Sequence, residues 1–212
     1  MPPLSLPRLY AILDPAQTAG RHPIEVLREL SSGGVGIVQL RVKIMSPREF
    51  LALARESRAL MQDRGCKVIV NDRVDIALAS DADGVHLGQE DLPLGPARKL
   101  MPQKIIGVST HSIEQAKDAE RAGADYIGFG PMFGTATKDT GYTARGIDML
   151  REVRAAVRIP IVAIGGINEV NVSQVWQAGA DSAAIISDIL KAGDIAAKVR
   201  RILIQAQASQ QQ

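Results

Sequence analysis

Residues 9–20 read Leu-Tyr-Ala-Ile-Leu-Asp-Pro-Ala-Gln-Thr-Ala-Gly, an unbroken apolar run followed by a polar turn. Two features of this stretch decide the fold. The run does not alternate, so a strand formed from it is buried on both faces, as in a parallel sheet covered by helices. The turn after it lacks the G-x-G-x-x-G pattern with which a doubly wound sheet opens a dinucleotide site. Similar runs recur at 35–40, 67–70, 84–87, 104–108, 125–129, 161–164 and 182–186. The expected fold class is therefore α/β, a single (β/α)8 TIM barrel, with the doubly wound open sheet as its rival. Over 212 residues the repeat is about 26 residues per strand–helix unit, compact but sufficient.

Helical signals fill the intervals. Ser46-Pro-Arg-Glu49 is a capping box with proline at the first helical position. Phe50, Ala54, Ser57 and Met61 follow at helical spacing, and Gly65 stops the helix. Ser112-Ile-Glu-Gln115 is a second capping box, and Asn168 opens a third helix that turns Val172, Val175 and Trp176 inward. Ala122-Gly-Ala-Asp125 and Ala178-Gly-Ala-Asp181 form a weak internal repeat joining helix ends to strands, with similar joints at Gly33-Gly34 and 81–83. The barrel is expected over 1–204, followed by a disordered Gln-rich tail at 205–212.

Composition narrows the function classes. Apolar residues are 46 % and charged residues 23 %, enough for a sizeable core. Lys plus Arg is 25 against 23 for Asp plus Glu, and aromatics are 3 %, so neither a basic nor a stacking surface for nucleic acid is expected. The single cysteine, Cys66, excludes an internal disulfide framework and a cysteine-based zinc cluster. The most apolar stretch, 159–167, carries a proline and two glycines and is about half the length of a membrane helix. With no targeting signal visible, the expectation is a soluble cytoplasmic protein with no membrane partner. Trp176 and other apolar residues on outer helices read either as core or as the surface of a homodimer.

The polar residues at the strand ends carry the chemistry, because barrel active sites lie at the C-terminal ends of the strands. Those ends supply Gln39, Arg41, Lys43, Asn71, Asp72, the block from His86 to Asp91, Ser109, the segment from Gly128 to Lys138, Gly165-Gly166 and Ser187. Arg41 and Lys43 flank Val42, so they fall on one side of an extended segment and could clamp an anion. Asp72 and Asp91 suit a hard cation, but each reads equally as the N-cap of a following helix. Gly165-Gly166 and Ser187 fit a late-strand phosphate site or plain tight turns. His86 and His111 read as hydrogen-bonding groups at strand ends rather than metal ligands.

Six blocks in unbroken order are Gln-Leu-Arg-x-Lys (39–43), Asn-Asp-Arg-Val-Asp (71–75), Gly-Val-His-Leu-Gly-Gln-Glu-Asp-Leu-Pro (84–93), Gly-Val-Ser-x-His-Ser (107–112), Thr-x-Thr-Lys (135–138) and Ala-Ile-Gly-Gly-Ile (163–167). Together they resemble the thiamine phosphate synthase family. The resemblance implies a transferase that joins hydroxymethylpyrimidine diphosphate to thiazole phosphate with Mg²⁺, releasing pyrophosphate. It implies that Gln39, Leu40, Arg41, Val42, Lys43, Asn71, Ser109 and Lys138 bind the pyrimidine diphosphate. Of these, Arg41, Lys43, Ser109 and Lys138 are the expected catalytic residues. It further implies that Asp72 and Asp91 hold Mg²⁺. Thr135, Ala136, Thr137, Gly166, Ile186 and Ser187 would bind the thiazole phosphate. Charge supports this reading. A diphosphate of about −3 with two carboxylates is balanced by one Mg²⁺ and three cationic side chains, about +5 in all.

Two departures stand out. Ala136 replaces a frequent proline. Arg145-Gly146 is similar to the related thiazole tautomerases, which share the histidine at 111 but generally lack the acids found here at 72 and 91. A tautomerase-like isomerase and a non-catalytic phosphate-ligand sensor are the alternative readings.

Overall fold

The computed structural model describes residues 4–134 and 143–208. Eight parallel strands, each hydrogen-bonded to its neighbours in chain order, close into a barrel with β8 returning to β1. They are β1 (Leu9–Leu13), β2 (Ile37–Leu40), β3 (Lys67–Asn71), β4 (Gly84–Leu87), β5 (Ile105–Thr110), β6 (Tyr126–Phe129), β7 (Ile161–Ile164) and β8 (Ser182–Ile185). The helices around them are α1 (Pro23–Gly33), α2 (Pro47–Gln62), α3 (Val74–Ala79), α4 (Leu94–Leu100), α5 (Ile113–Arg121), α6 (Gly146–Ala156), α7 (Val172–Gln177), the single turn α8 (Ser187–Leu190) and α9 (Ile195–Ala208). The open-sheet rival is thereby excluded.

The unbroken apolar runs have the cause expected of them. In β1, Leu9, Ala11 and Leu13 pack outward against the helices. Tyr10 and Ile12 join Ile37, Ile69, Tyr126, Val162 and Ala184 inside the barrel. The interior is filled rather than hollow. Two fully buried tyrosines meet at its centre, with Tyr10 and Tyr126 hydroxyls 2.8 Å apart. Glycine is required at 107, because a Cβ there would lie 2.0 Å from Cζ of Tyr126.

The internal repeat is an acid that ties strands in pairs at the N-terminal end of the barrel. Oδ2 of Asp83, Asp125 and Asp181, each just before an even-numbered strand, accepts the N–H of Val68, Ile106 and Ile161 in the preceding strand, at 2.8, 2.7 and 2.8 Å. An arginine of the helix that precedes each strand pair completes the tie: Arg58 of α2 at 3.6 Å, Arg98 of α4 at 2.6 Å and Arg154 of α6 at 2.9 Å.

Helix boundaries follow local chemistry. At α2 the capping box is complete: Ser46 accepts from the Glu49 N–H, and the Glu49 carboxylate accepts from the Ser46 N–H. At α5 only half forms, because Gln115 accepts from the His111 N–H instead. Asn168 does not open α7. Its side-chain oxygen accepts from the amides of Val170 and Asn171 in a local turn, and the helix starts at Val172. The expected tail also needs correction. Residues 205–208 belong to α9, where Ala206 is buried against the core. Trp176 is core as well: 4 % exposed, with its indole N–H donating to Arg8 O, so it gives no support to a dimer. No helix among the described residues is long and apolar enough to cross a membrane.

Candidate active site

A cavity of about 590 Å³ opens at the C-terminal ends of the strands, within the usual range of small-molecule sites. Its lining brings together Gln39 and Arg41 from β2 and its loop, Asn71 from β3, Ser109 from β5, Gly166 after β7, and Ile186 and Ser187 after β8. These are expected site residues from distant blocks. Leu40 and Val42 contribute no side chain to the cavity lining. The strand alternation turns both side chains outward, Leu40 into the core under the helices and Val42 against it, so only their backbone remains for a ligand. Residues 135–138, which include Thr135, Ala136, Thr137 and Lys138, lie outside the described residues.

Arg41 and Lys43 pair with acids at opposite neighbours of β2, Asp14 after β1 and Asp72 after β3. Arg41 lines the cavity and pairs with Asp14, whose carboxylate is 2.5 Å away and 4 % exposed. The other Asp14 oxygen accepts from the Ala16 N–H and caps the turn Pro15–Gln17. Lys43 leans the other way and forms an ion pair with Asp72. Asp14 was not singled out by its sequence. The pairing spans 27 residues, and its only local signal is a carboxylate at the end of an apolar run.

Asp72 and Asp91 are neighbours close enough to hydrogen-bond to each other. The capping alternative fails for both. The N-cap position is held by Arg73 in α3 and by Pro93 in α4, each without a side-chain cap. Asp91 instead accepts the Gly88 N–H at 2.7 Å, which holds it against the β4 end. Burial lifts the Asp91 carboxyl above the ordinary carboxylate range; the Gly88 bond opposes this, and the charge and hydrogen bond of Asp72 add to it. Asp72 adopts φ +64, a left-handed backbone that costs a non-glycine residue roughly 1 kcal/mol or more.

This pair fits Mg²⁺. Both donors are carboxylate oxygens, and a cation between them would relieve the repulsion that Asp72 imposes on Asp91. Among the described residues no third His, Cys, Asp or Glu joins them. That suits an ion bound by one or two carboxylates, with waters and substrate phosphate completing the shell.

The cavity lining after β7 and β8 is backbone-rich. Gly165 and Gly166 adopt φ +98 and +67, and a Cβ on Gly166 would lie 2.7 Å from Gly134 O. Asp188 and Lys191 line the cavity here too. The loops are pinned from behind. Asp188 accepts the Glu169 N–H, and Lys198 of α9 bridges Glu169 and Asp188 at 2.8 and 3.0 Å.

His86 and His111 both make hydrogen bonds, as expected. The Nδ1–H of His111 donates to Gly130 O at 2.6 Å. His86 lies between Tyr126 and Ser109, at 3.0 and 2.9 Å.

Known proteins resemble this chain throughout. The family model described as thiamine monophosphate synthase (TMP-TENI) matches residues 9–189. A thiamine-phosphate synthase of Chloroflexus aurantiacus is 46 % identical over 195 residues, covering 92 % of this chain and 90 % of that protein. One from Shouchella clausii is 47 % identical over 205 residues, covering 96 % and 98 %. The solved structure of a thiamine phosphate pyrophosphorylase from Pyrococcus furiosus superposes with a TM-score of 0.89 at 37 % identity, covering 95 % and 96 %. A 3-hexulose-6-phosphate synthase, at 17 % identity and TM-score 0.69, shares the fold alone. With the cavity, the acid pair and the blocks that build them all inside the matched span, the chain belongs to the thiamine monophosphate synthase family.

Proposed function

We propose that the cavity joins 4-amino-2-methyl-5-hydroxymethylpyrimidine diphosphate to 4-methyl-5-(2-phosphoethyl)thiazole, giving thiamine phosphate and pyrophosphate by a dissociative substitution. One observation carries this reading: Arg41, Asn71 and Ser109 converge on one cavity with the glycine-rich backbone at Gly165 and Gly166, and Asn71 adjoins Asp72 of the acid pair.

Arg41, Lys43 and Lys138 offset the charge of the diphosphate, and Asn71 hydrogen-bonds one of its oxygens. Asp72 and Asp91 would hold Mg²⁺, which supplies further charge neutralisation of the leaving group. Gln39 and Ser109 fix the aminopyrimidine ring. Thr135, Thr137 and the backbone at Ala136, Gly166, Ile186 and Ser187 hold the thiazole phosphate, so that the thiazole nitrogen faces the pyrimidine methylene carbon.

The C–O bond to the diphosphate breaks first, and its electron pair leaves with pyrophosphate. The pyrimidine ring delocalises the resulting cation, and the thiazole nitrogen donates its lone pair to that carbon. That nitrogen has no proton to lose, so no general base is needed. The absence of a catalytic dyad from this reading is therefore chemically consistent. Catalysis rests on juxtaposition of two substrates and stabilisation of the leaving group.

The test supplies both phosphorylated substrates, with and without Mg²⁺, and follows pyrophosphate. Metal-dependent release with equimolar thiamine phosphate is expected. Isomerisation of a thiazole phosphate alone, or binding without turnover, would overturn the reading in favour of a tautomerase-like isomerase or a sensor.

A further inference from the structure

Ser109 is the outer end of a hydrogen-bonded chain that runs through the barrel interior. Gln39 Nε2 donates to the Tyr10 hydroxyl at 3.1 Å, and the Tyr10 and Tyr126 hydroxyls are 2.8 Å apart. Tyr126 meets His86 Nδ1 at 3.0 Å, and His86 Nε2 meets the Ser109 hydroxyl at 2.9 Å. Both ends, Gln39 and Ser109, line the cavity, as do the three groups between them.

Proton counting gives this chain a direction. Each hydroxyl has one proton, and a neutral imidazole has one N–H. With Gln39 donating to Tyr10, the Tyr10 proton goes to Tyr126, and the Tyr126 proton goes to His86 Nδ1. His86 then carries its proton on Nε2 and donates to Ser109. The Ser109 proton is left for the cavity, while Gln39 has its carbonyl oxygen to offer. The opposite direction requires the Gln39 amide to turn over, because otherwise a buried phenol proton loses its partner. Burial raises the pKa of both phenols well above the ordinary value, so both stay protonated donors. The ring of Tyr126 occupies the space that a Cβ at Gly107 would fill, and it stacks on His86 with centroids 5.5 Å apart.

We propose that Tyr126 is a positioning residue that acts through His86 to make Ser109 a hydrogen-bond donor to the substrate ring while Gln39 is an acceptor. An aminopyrimidine edge has this complementary pattern, a ring nitrogen that accepts beside an amino group that donates. The inference deepens the reading above and rests on it for the identity of the ligand.

Two measurements test it. Nitrogen NMR of histidine-labelled protein reports the His86 tautomer without any substrate. The wild type should show Nε2–H with Nδ1 accepting, and Tyr126→Phe should abolish that pattern. A kinetic cycle then links the chain to Ser109. Tyr126→Phe should lower kcat/KM for the pyrimidine diphosphate by about tenfold to a hundredfold, with the KM for thiazole phosphate changed less than about twofold. On a Ser109→Ala background the same substitution should change kcat/KM by less than about twofold, because its route to the substrate is already cut. Independent multiplication of the two losses, an equal rise in both KM values, or an Nδ1-protonated His86 would overturn the proposal. Absence of turnover in the wild type would count against the synthase reading instead, and the tautomer measurement would still decide the direction of the chain.

Discussion

Asp14 shows how much of a site can depend on one buried carboxylate outside the cavity lining. It is 4 % exposed and divides its oxygens between the Ala16 amide and Arg41, so it fixes a turn and a guanidinium together. Removing its charge leaves Arg41 without its anchor at the cavity wall. Asp14→Asn should raise the KM for the diphosphate substrate by about tenfold, the scale of one charge-assisted hydrogen bond. Thermal unfolding should move down by no more than about 2–4 °C for each kcal/mol lost. Steady-state kinetics with calorimetry reads both; an unchanged KM would remove Asp14 from the site. At this scale the sequence was only partly legible. Arg41, Asn71 and Ser109 stand at strand ends within recognisable blocks. Asp14, Tyr10 and Tyr126 act through contacts across 27 to 116 residues, and no local pattern encodes those.

The elements behind the phosphate end are joined by charge. Glu169, in the β7–α7 loop, accepts from Arg201 and Lys198 of α9, and Lys198 also reaches Asp188 of α8. The Arg201 bond, followed by that of Lys198, depresses the Glu169 carboxyl from 4.5 to about 2. A carboxylate depressed on folding stabilises the protein above its unfolded value and loses that contribution as pH falls through the folded one. The stabilisation is complete above about pH 5 and fades toward pH 2. A fifth of the Glu169 side chain is in water, which holds the effect to about 1 kcal/mol. Glu169→Gln should lower the melting temperature by about 2–4 °C at pH 7, and by less as pH falls below 4. A gap that is constant with pH would contradict the assignment.

Helices and strands were the most legible elements, for local reasons. The Ser46 box and its buried face of Phe50, Ala54, Ser57 and Met61 need only neighbours three or four residues away. The start of α7 was misread because Asn168 spends its side chain on a turn, and the end of α9 because Ala206 finds a buried seat that composition does not reveal.

Across the whole molecule, the barrel separates stability from chemistry. Acid–arginine ties at one end hold the strands in register, while the other end gathers side chains that lie far apart in the chain. The account depends on that gathering forming one bipartite site, metal and diphosphate by Asp72 and Asp91, thiazole phosphate by the late loops. A crystal grown with thiamine phosphate, pyrophosphate and Mn²⁺ in place of Mg²⁺, with the ion placed by its anomalous signal, tests this most directly. The predicted result is an ion within about 2.0–2.3 Å of carboxylate oxygens of Asp72 and Asp91 and of pyrophosphate. The phosphate of thiamine phosphate should lie on the backbone at Gly166, Ile186 and Ser187. An ion bound elsewhere, or both phosphorylated groups at the same end, would contradict it.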